Sequence, residues 1–305
     1  MVMNMQQKTI SIQSLMDHSG VRFGTSGVRG LVAEMTYKLC FAYVLAFLQT
    51  IGAKSGGCVA IGTDLRPSSP EIAAACAAAA EHHGLSVKFC GALPTPALAY
   101  YIQEQGIPGI MVTGSHIPFD RNGIKFYGIH GEITKADEAA ISAKEVTMPK
   151  EMPILNLPDL NFEASQFYID RYLDFFPDQC LSGMKIGFYE HSSVARDLLG
   201  KILVGLGAKV ISLGRTDVFV PIDTEAVCQA DVDQAKQWSA EIGFDAILST
   251  DGDADRPLIG DEFGQWFRGD IVGILCAQFL GAQAVVTPVS CNTAIELSRA
   301  FSHIA

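Results

Sequence analysis

The sequence is poor in charge, and poorest in positive charge. Charged side chains make up 18% of the 305 residues, and 22 Lys and Arg face 33 Asp and Glu, for a formal net charge of −11. Tracking a nucleic-acid backbone takes a basic stripe, and so few cations do not supply one. Nucleic acid is therefore not expected as a partner. A local cluster of arginine and lysine can still hold a small anion inside an acidic protein. Long apolar runs are also missing. The longest, Leu39 to Ile51, contains Gln49 and Thr50 and falls short of the ~20 residues that span a bilayer. The N-terminus, Met1 to Ser14, has no basic segment followed by a long apolar one, so neither a signal peptide nor a membrane partner is expected. There is no CxxC pair. The eight cysteines are scattered, mostly in apolar runs, and in a chain of this size that pattern reads as buried free thiols in a reducing cytoplasm.

What is present is apolar residue in bulk. Hydrophobic side chains make up 49% of the chain, alongside 29 Gly and 13 Pro, which fits a soluble globular protein able to bury a large core. The length sets a prior of two or three domains.

Elements then alternate along the chain. Residues 1–20 read as an irregular arm. Phe23 to Gly30 (FGTSGVRG) packs three glycines around small hydroxyls and Arg29. It is either a plain glycine turn or a place where backbone approaches a ligand closely. Tyr37 to Ala53 has helical apolar spacing, Cys58 to Ile61 reads as a strand, and Ser68 or Ser69 can cap a helix from Pro70 to His83. Leu85 to Cys90 is the next strand, Ala97 to Gln105 a helix, and Ile107 to Val112 a strand again. Asn122 to Tyr127 adds a strand and Lys135 to Glu145 a helix.

Residues 148–161 hold three prolines and read as a linker. The alternation then repeats. Glu163 to Phe175 is a helix, Lys185 to Tyr189 a strand, Val194 to Leu206 a helix, Val210 to Leu213 a strand, Val232 to Ile242 a helix, and Ala246 to Ser249 a strand. A third unit opens at Trp266, with a helix from Gly269 to Phe279, a strand from Ala284 to Val289 and a helix from Thr293 to Ile304. The fold class expected is α/β, in consecutive three-layer α/β/α domains with mostly parallel mixed sheets. The divisions expected are 1–150, 151–264 and a partial unit at 265–305.

Two constellations carry chemistry. Asp251, Asp253 and Asp255 alternate just after a strand and concentrate negative charge in one loop, which repels itself unless a cation sits there. Hard oxygen ligands select Mg²⁺ or Ca²⁺ over zinc. With Glu262 at the twelfth position the spacing approaches a calcium EF-hand, but Arg256 stands where that loop needs glycine and a strand precedes it, so Mg²⁺ is preferred. A solvated acidic turn is the remaining reading. Thr113-Gly114-Ser115-His116-Ile117-Pro118 follows a buried strand, with Lys125 close behind. The G-x-S-x-G elbow of an acyl hydrolase is absent. A phosphoryl group on Ser115 would complement a cation held by the three aspartates, making Ser115 part of the metal site. Arg29, Lys125 and Arg256 would balance charge around the moving phosphoryl as its phosphate-binding residues. Lys125, with a lowered pKa, is one candidate proton shuttle and His116 another; a phosphate-binding role alone remains open for Lys125.

Together these motifs resemble the α-D-phosphohexomutase superfamily, of phosphomannomutase/phosphoglucomutase type. Its phosphoserine loop, T-A/G-S-H-N-P, is matched by Thr113 to Pro118, and its D-G-D-x-D-R metal loop by Asp251 to Arg256. Its G-T-S/D-G-x-R-G is matched by Gly24 to Gly30, its G-x-D-x-R-x-S-S by Gly62 to Ser69, and its N-G-x-K by Asn122 to Lys125. Ile117 departs from the usual Asn, and Gly114 leans towards the bacterial phosphomannomutase branch.

The resemblance implies that mannose or glucose 1-phosphate and 6-phosphate interconvert through phosphorylated Ser115 and a bisphosphorylated sugar, with Mg²⁺ as cofactor. It also implies four domains, with a sugar-reading E-x-S-G-H loop in the third and a phosphate-clamping loop in the fourth. Neither loop is found here, so a chain truncated after the start of the third domain is expected, with an exposed apolar surface on that incomplete unit that either self-associates or is unstable. The alternatives are a mutase-inactive fragment that keeps the metal and phosphoserine sites, and a phosphatase-like hydrolase.

Overall fold

The computed structural model describes residues 9–154 and 156–305. The first eight residues of the expected N-terminal arm lie outside the described residues. Residues 9–19 form regular elements in place of an irregular arm. Strand β1 (Thr9–Ser11) leads into helix α1 (Ile12–Ser19), which Ser11 caps by accepting the Ser14 N–H and Gly20 ends in a left-handed conformation. The helix is two turns long, too short to leave a clear apolar period.

The first sheet contains β2 (Arg22–Phe23), β3 (Val28–Leu31), β4 (Cys58–Thr63), β5 (Ser86–Ala92), β6 (Gly109–Val112), β7 (Arg121–Gly128) and β8 (Gly131–Glu132). Its order is β2-β3-β7-β6-β4-β5, with β8 folded back on β7. β4 runs parallel to β5 and β6, whereas β7 is antiparallel to β6 and β3. The glycine-rich stretch at residues 24–30 is therefore not a simple turn: its second half is strand β3, with Arg29 opposite Gly123.

Helices α2 (Tyr37–Thr50) and α3 (Ser69–His82) pack on one face. α2 buries every residue from Leu39 to Leu48, and each large one contributes about 1.5–3 kcal/mol on leaving water. The alanines of α3 let it lie close to α2 and β4. Neither candidate serine caps α3 in the expected way. The Ser68 side chain makes no cap bond, and Ser69, inside the first turn, donates to Asp64. α4 (Thr95–Gln105) covers the other face. α5 (Lys135–Ser142) and β9 (Glu145–Thr147) complete the unit, β9 pairing with β1.

The proline-rich stretch that follows is docked rather than free. Leu160 bridges Phe89 on the sheet edge, and Leu157 and Met152 pack against the first core. α6 (Glu163–Phe175) then packs on α4.

The second sheet has the order β11-β10-β12-β13, built from β10 (Lys185–Tyr189), β11 (Lys209–Leu213), β12 (Ala246–Thr250) and β13 (Pro257–Gly260). β10 is parallel to β11 and β12; β13 is antiparallel. α7 (Ala195–Gly205) packs on one face through Leu199 and Leu203, and α8 (Gln229–Ile242) on the other through Ala235 and Trp238.

Beyond it lie α9 (Gly269–Phe279), β14 (Ala284–Val285), α10 (Ala294–Leu297) and β15 (His303–Ile304), around a small core of Ile274, Ile295 and Phe301. The long last helix expected from the periodicity is only four residues. Arg299 turns to positive φ, Phe301 is drawn into the core, and His303–Ile304 pair with β14 instead. No helix among the described residues is long and apolar enough to cross a membrane.

Candidate active site

Parallel strands deliver their following loops at their carboxyl ends, where open α/β sheets bind ligands. β6 delivers Ser115 from the first sheet and β12 delivers Asp251 from the second, and the two loops meet. Ser115 Oγ donates to Asp251 Oδ2 at 2.8 Å across 136 residues of sequence. Both residues are buried.

The serine loop is built tightly. Ser115 sits at φ 49°, a left-handed conformation that costs a non-glycine residue about 1–2 kcal/mol. Its N–H donates to Thr113 Oγ1 at 2.8 Å, and Thr113 Oγ1 and Gly114 N both donate to Asp64 Oδ2. Arg66 lies inside the loop, 1% exposed, and donates to the carbonyls of Ser115, Ile117, Pro118 and Arg121. Gly114 makes room for it, since a Cβ there would lie 2.4 Å from Arg66 Nε. Ile117, where the family pattern has Asn, contributes its carbonyl to Arg66, a contact any residue can make.

The aspartate loop presents Asp251, Asp253 and Asp255 with one oxygen of each within 4.8 Å of the others. Glu262 is exposed and lies beyond β13; among the described residues the acidic cluster is this trio, which removes the EF-hand reading. Lys125, on β7, donates to Asp253 Oδ2 and Asp255 Oδ2, each at 2.8 Å. Thr95, at the start of α4, adds a hydroxyl to Asp253 at 2.7 Å.

Electrostatics separate Asp251 from Asp253. Burial, with Asp253 and Asp255 alongside, pushes Asp251 up to about 8. Burial also works against ionisation of Asp253, but Lys125 and Thr95 outweigh it and hold this carboxyl below its usual range. Asp253 Oδ1 is buried and has no hydrogen-bond partner. An orphaned carboxylate oxygen beside two more carboxylates is a donor set that suits a hard divalent cation.

The remaining predicted residues converge on the same place. His116 Nδ1 lies 3.2 Å from Ser115 Oγ and accepts from Arg256 Nη1 at 3.2 Å. Burial, then the neighbouring Arg256 charge, lowers the His116 pKa and favours the neutral ring. Arg256 also pairs with Glu225 at 3.2 Å. The side chain of Arg29 runs over Gly24 and Gly123, and its charge reaches His116 and Arg66.

Lys125 departs from expectation. Burial alone would lower its pKa, but Asp253 and Asp255 raise it well above the ordinary lysine value, so it rests protonated, the form that donates a proton, and not as the free base. Sequence reasoning gave no role to Asp64, Arg66 or Thr95. The first two lie in the Gly62–Ser69 motif. Thr95 stands between Pro94 and Pro96, and nothing in its sequence surroundings signals that it reaches an aspartate in the other unit.

Residues 20–148 match the model of the phosphoglucomutase/phosphomannomutase alpha/beta/alpha domain I. A phosphomannomutase of Salmonella muenchen is 48% identical over 291 residues, covering 95% of this chain and 60% of that protein. A phosphomannomutase of Sinorhizobium fredii is 46% identical, covering 91% of this chain and 60% of that one. The chain thus spans about 60% of the length of these curated relatives. In fold it resembles a solved phosphoglucomutase/phosphomannomutase family protein of Burkholderia thailandensis, with a TM-score of 0.71 at 20% identity over 92% of this chain and 63% of that one. Two strand-end loops that bring a strained serine onto an aspartate trio, with relatives matching along almost the whole chain, lead to one conclusion: the chain belongs to the phosphoglucomutase/phosphomannomutase family.

Proposed function

We propose that this chain carries the phosphoryl-transfer centre of a phosphomannomutase-type phosphohexomutase, in which Ser115 is the phosphoryl carrier. The observation that supports it best is the 2.8 Å contact between Ser115 Oγ and Asp251 across the two units. The substrate class is a hexose phosphate, mannose or glucose 1-phosphate and 6-phosphate. The working divisions are residues 1–150 for the serine loop, 151–264 for the aspartate loop, and 265–305 as the beginning of a third unit.

Asp251, Asp253 and Asp255, together with an oxygen on Ser115, would hold Mg²⁺. When bound, the ion supplies charge neutralisation at the transferring phosphoryl group. The chain's own residues do the rest. Arg29 and Arg256 bring guanidinium groups to the phosphoryl oxygens, with the Lys125 ammonium beside the carboxylates.

Two protons have to move. Ser115 loses its hydroxyl proton when it accepts a phosphoryl group, and neutral His116, with Nδ1 3.2 Å away, receives it once Arg256 leaves that nitrogen for the phosphoryl oxygens. The sugar oxygen that gives up a phosphoryl group needs a proton, and Lys125, held protonated, can donate one. The return transfer reverses both steps.

The reading is tested by intact mass and by assay. Incubation with a hexose 1,6-bisphosphate and Mg²⁺ adds the mass of one phosphate to the chain and none to Ser115→Ala. Phosphate gained equally by both would sink the assignment. Conversion of mannose 1-phosphate to the 6-phosphate then tests whether this chain completes the cycle.

The eight free thiols support a cytoplasmic location, although they are not uniformly buried, since Cys180, Cys228 and Cys276 are exposed. Exposed Phe175, Leu275, Phe279 and Leu280 form an apolar surface that supports self-association. Sedimentation velocity across concentration tests it, and a single monomer species throughout would refute it.

A further inference from the structure

Segment 214–228 joins β11 to α8 in the second unit, yet it inserts a side chain into the first. Arg66 Cζ lies over the face of the Phe219 ring, 4.1 Å from the ring centroid. It also lies 6.1 Å, centroid to centroid, from the ring of Phe119 in the serine loop. It also approaches the aspartate loop, where a Cβ on Gly252 would be 3.7 Å from the Phe219 ring. Phe219 therefore plugs the seam between the two reactive loops.

The segment that carries it is held firmly in its own unit. Val220 N–H donates to Ser192 Oγ at 2.8 Å, Thr216 N–H donates to the His191 carbonyl at 3.2 Å, and Arg196 binds both the Thr216 carbonyl and Asp217. Further along, Glu225 pairs with Arg256 of the aspartate loop.

Arg66 is what the ring protects. Its two terminal nitrogens carry four carbonyls of residues 115–121, and its Nε faces Asp64 Oδ2 at 3.3 Å. Nε makes no hydrogen bond, and the four donated bonds leave from N–H groups that lie in the guanidinium plane. That plane leaves its face free for an aromatic cover, and a cation on an aromatic ring is attracted most strongly when water is excluded.

We propose that Phe219 is a positioning residue: by sealing the face of Arg66 it keeps the Ser115–Arg121 loop in register with the aspartate loop of the other unit. The consequence for catalysis rests on the reading of Ser115 as the phosphoryl carrier; the consequence for loop order does not.

The test compares wild type, Phe219→Leu and Phe219→Tyr. Phe219→Leu keeps apolar volume and loses the aromatic face, whereas Phe219→Tyr keeps the face. Hydrogen exchange is read at the amides of Ser115, Ile117 and Arg121, which donate to Thr113 Oγ1, the Gly114 carbonyl and the Pro118 carbonyl. Expected exchange in Phe219→Leu is about tenfold faster than in wild type, with Phe219→Tyr close to wild type. Phosphate gain at Ser115 from a hexose 1,6-bisphosphate is expected to slow by about the same factor in Phe219→Leu at saturating bisphosphate, with the half-saturating concentration unchanged. Equal exchange in all three proteins overturns the proposal. A wild-type chain that gains no phosphate refutes the carrier role of Ser115, while the exchange data still decide the role of Phe219. Should Phe219→Leu not fold, Phe219→Met is read in its place by the same criteria.

Discussion

Replacing Lys125 with methionine removes the cation that the aspartate loop leans on, and the structure sets the size of the effect. Nζ is 2.8 Å from one oxygen each of Asp253 and Asp255; the Lys125 side chain is 5% exposed, that of Asp253 0% and that of Asp255 30%. At an effective dielectric constant of 20, each contact carries an attraction of about 6 kcal/mol before desolvation is subtracted. Desolvation removes much of that, and solvent screens the Asp255 contact further. What decides the outcome is the state left behind. A buried ion pair broken from one side typically costs about 3–5 kcal/mol, because the remaining charge stays buried and uncompensated.

The methionine variant should therefore lose about 3 kcal/mol without metal, or roughly 6–12 °C in Tm for a chain of this size. A divalent cation then has more to correct, so saturating Mg²⁺ should raise the Tm of Lys125→Met by more than it raises that of wild type. Thermal denaturation followed by circular dichroism, in EDTA and in excess Mg²⁺, reads both effects. A metal-free loss below about 1 kcal/mol, or an identical Mg²⁺ increment in the two proteins, would refute the claim that Lys125 compensates the carboxylates.

Three further outcomes are expected. Thr95→Val removes the hydroxyl 2.7 Å from Asp253 and should weaken Mg²⁺ binding by about tenfold in titration calorimetry; unchanged affinity would show that the hydroxyl does not orient the carboxylate. Gly27 sits at φ 68°, and a Cβ there would meet the Ile124 carbonyl oxygen at 2.3 Å and Lys125 Cα at 2.9 Å, so Gly27→Ala should cost at least about 2 kcal/mol in urea denaturation and disturb the strand that holds Lys125. Burial lowers His191 to about 4, so it stays neutral in the fold while the unfolded chain takes up a proton below its ordinary value of 6.5. Its contribution is complete above pH 6.5 and is lost as pH falls towards 4, amounting to about 2 kcal/mol by pH 5. Urea midpoints at pH 7.5 and 5.0 should differ less in His191→Asn than in wild type, and equal differences would show that this imidazole is not the group being charged.

The elements that could be read from the sequence are those whose burial writes a period into it. Helix α2 is buried along ten consecutive residues, and strands β4, β6, β10 and β12 are short apolar runs that end in turn residues. Strand β3 was hidden because Val28-Arg29-Gly30 alternates too briefly and stands among glycines, so its pairing with β7 depends on long-range contact. The last helix failed for the opposite reason: its pattern was helical, but pairing with β14 and burial of Phe301 draw the chain out of helix.

At the site, the reactive types were legible and their electrical states were not. A lysine near a serine loop reads as a base until its partners are known, and those partners lie 128 and 130 residues further along. The buried scaffold of Asp64 and Arg66 carries no chemical signal in the sequence, because most of its bonds go to backbone carbonyls and amides.

Gly252 separates the first two aspartates of the trio, and its place in the chain suggests ordinary loop flexibility. The space around it says otherwise. A Cβ at Gly252 would stand 2.9 Å from the carbonyl oxygen of Ser115, so the closest obstacle to a side chain belongs to the other unit. The freedom of position 252 to vary is thus set by a residue far away in sequence. Any lineage that enlarges this position must first part the two loops, and in doing so would separate the serine from the carboxylates. The two motifs are inherited as separate words, but sterically they are a single object, and their spelling is constrained jointly.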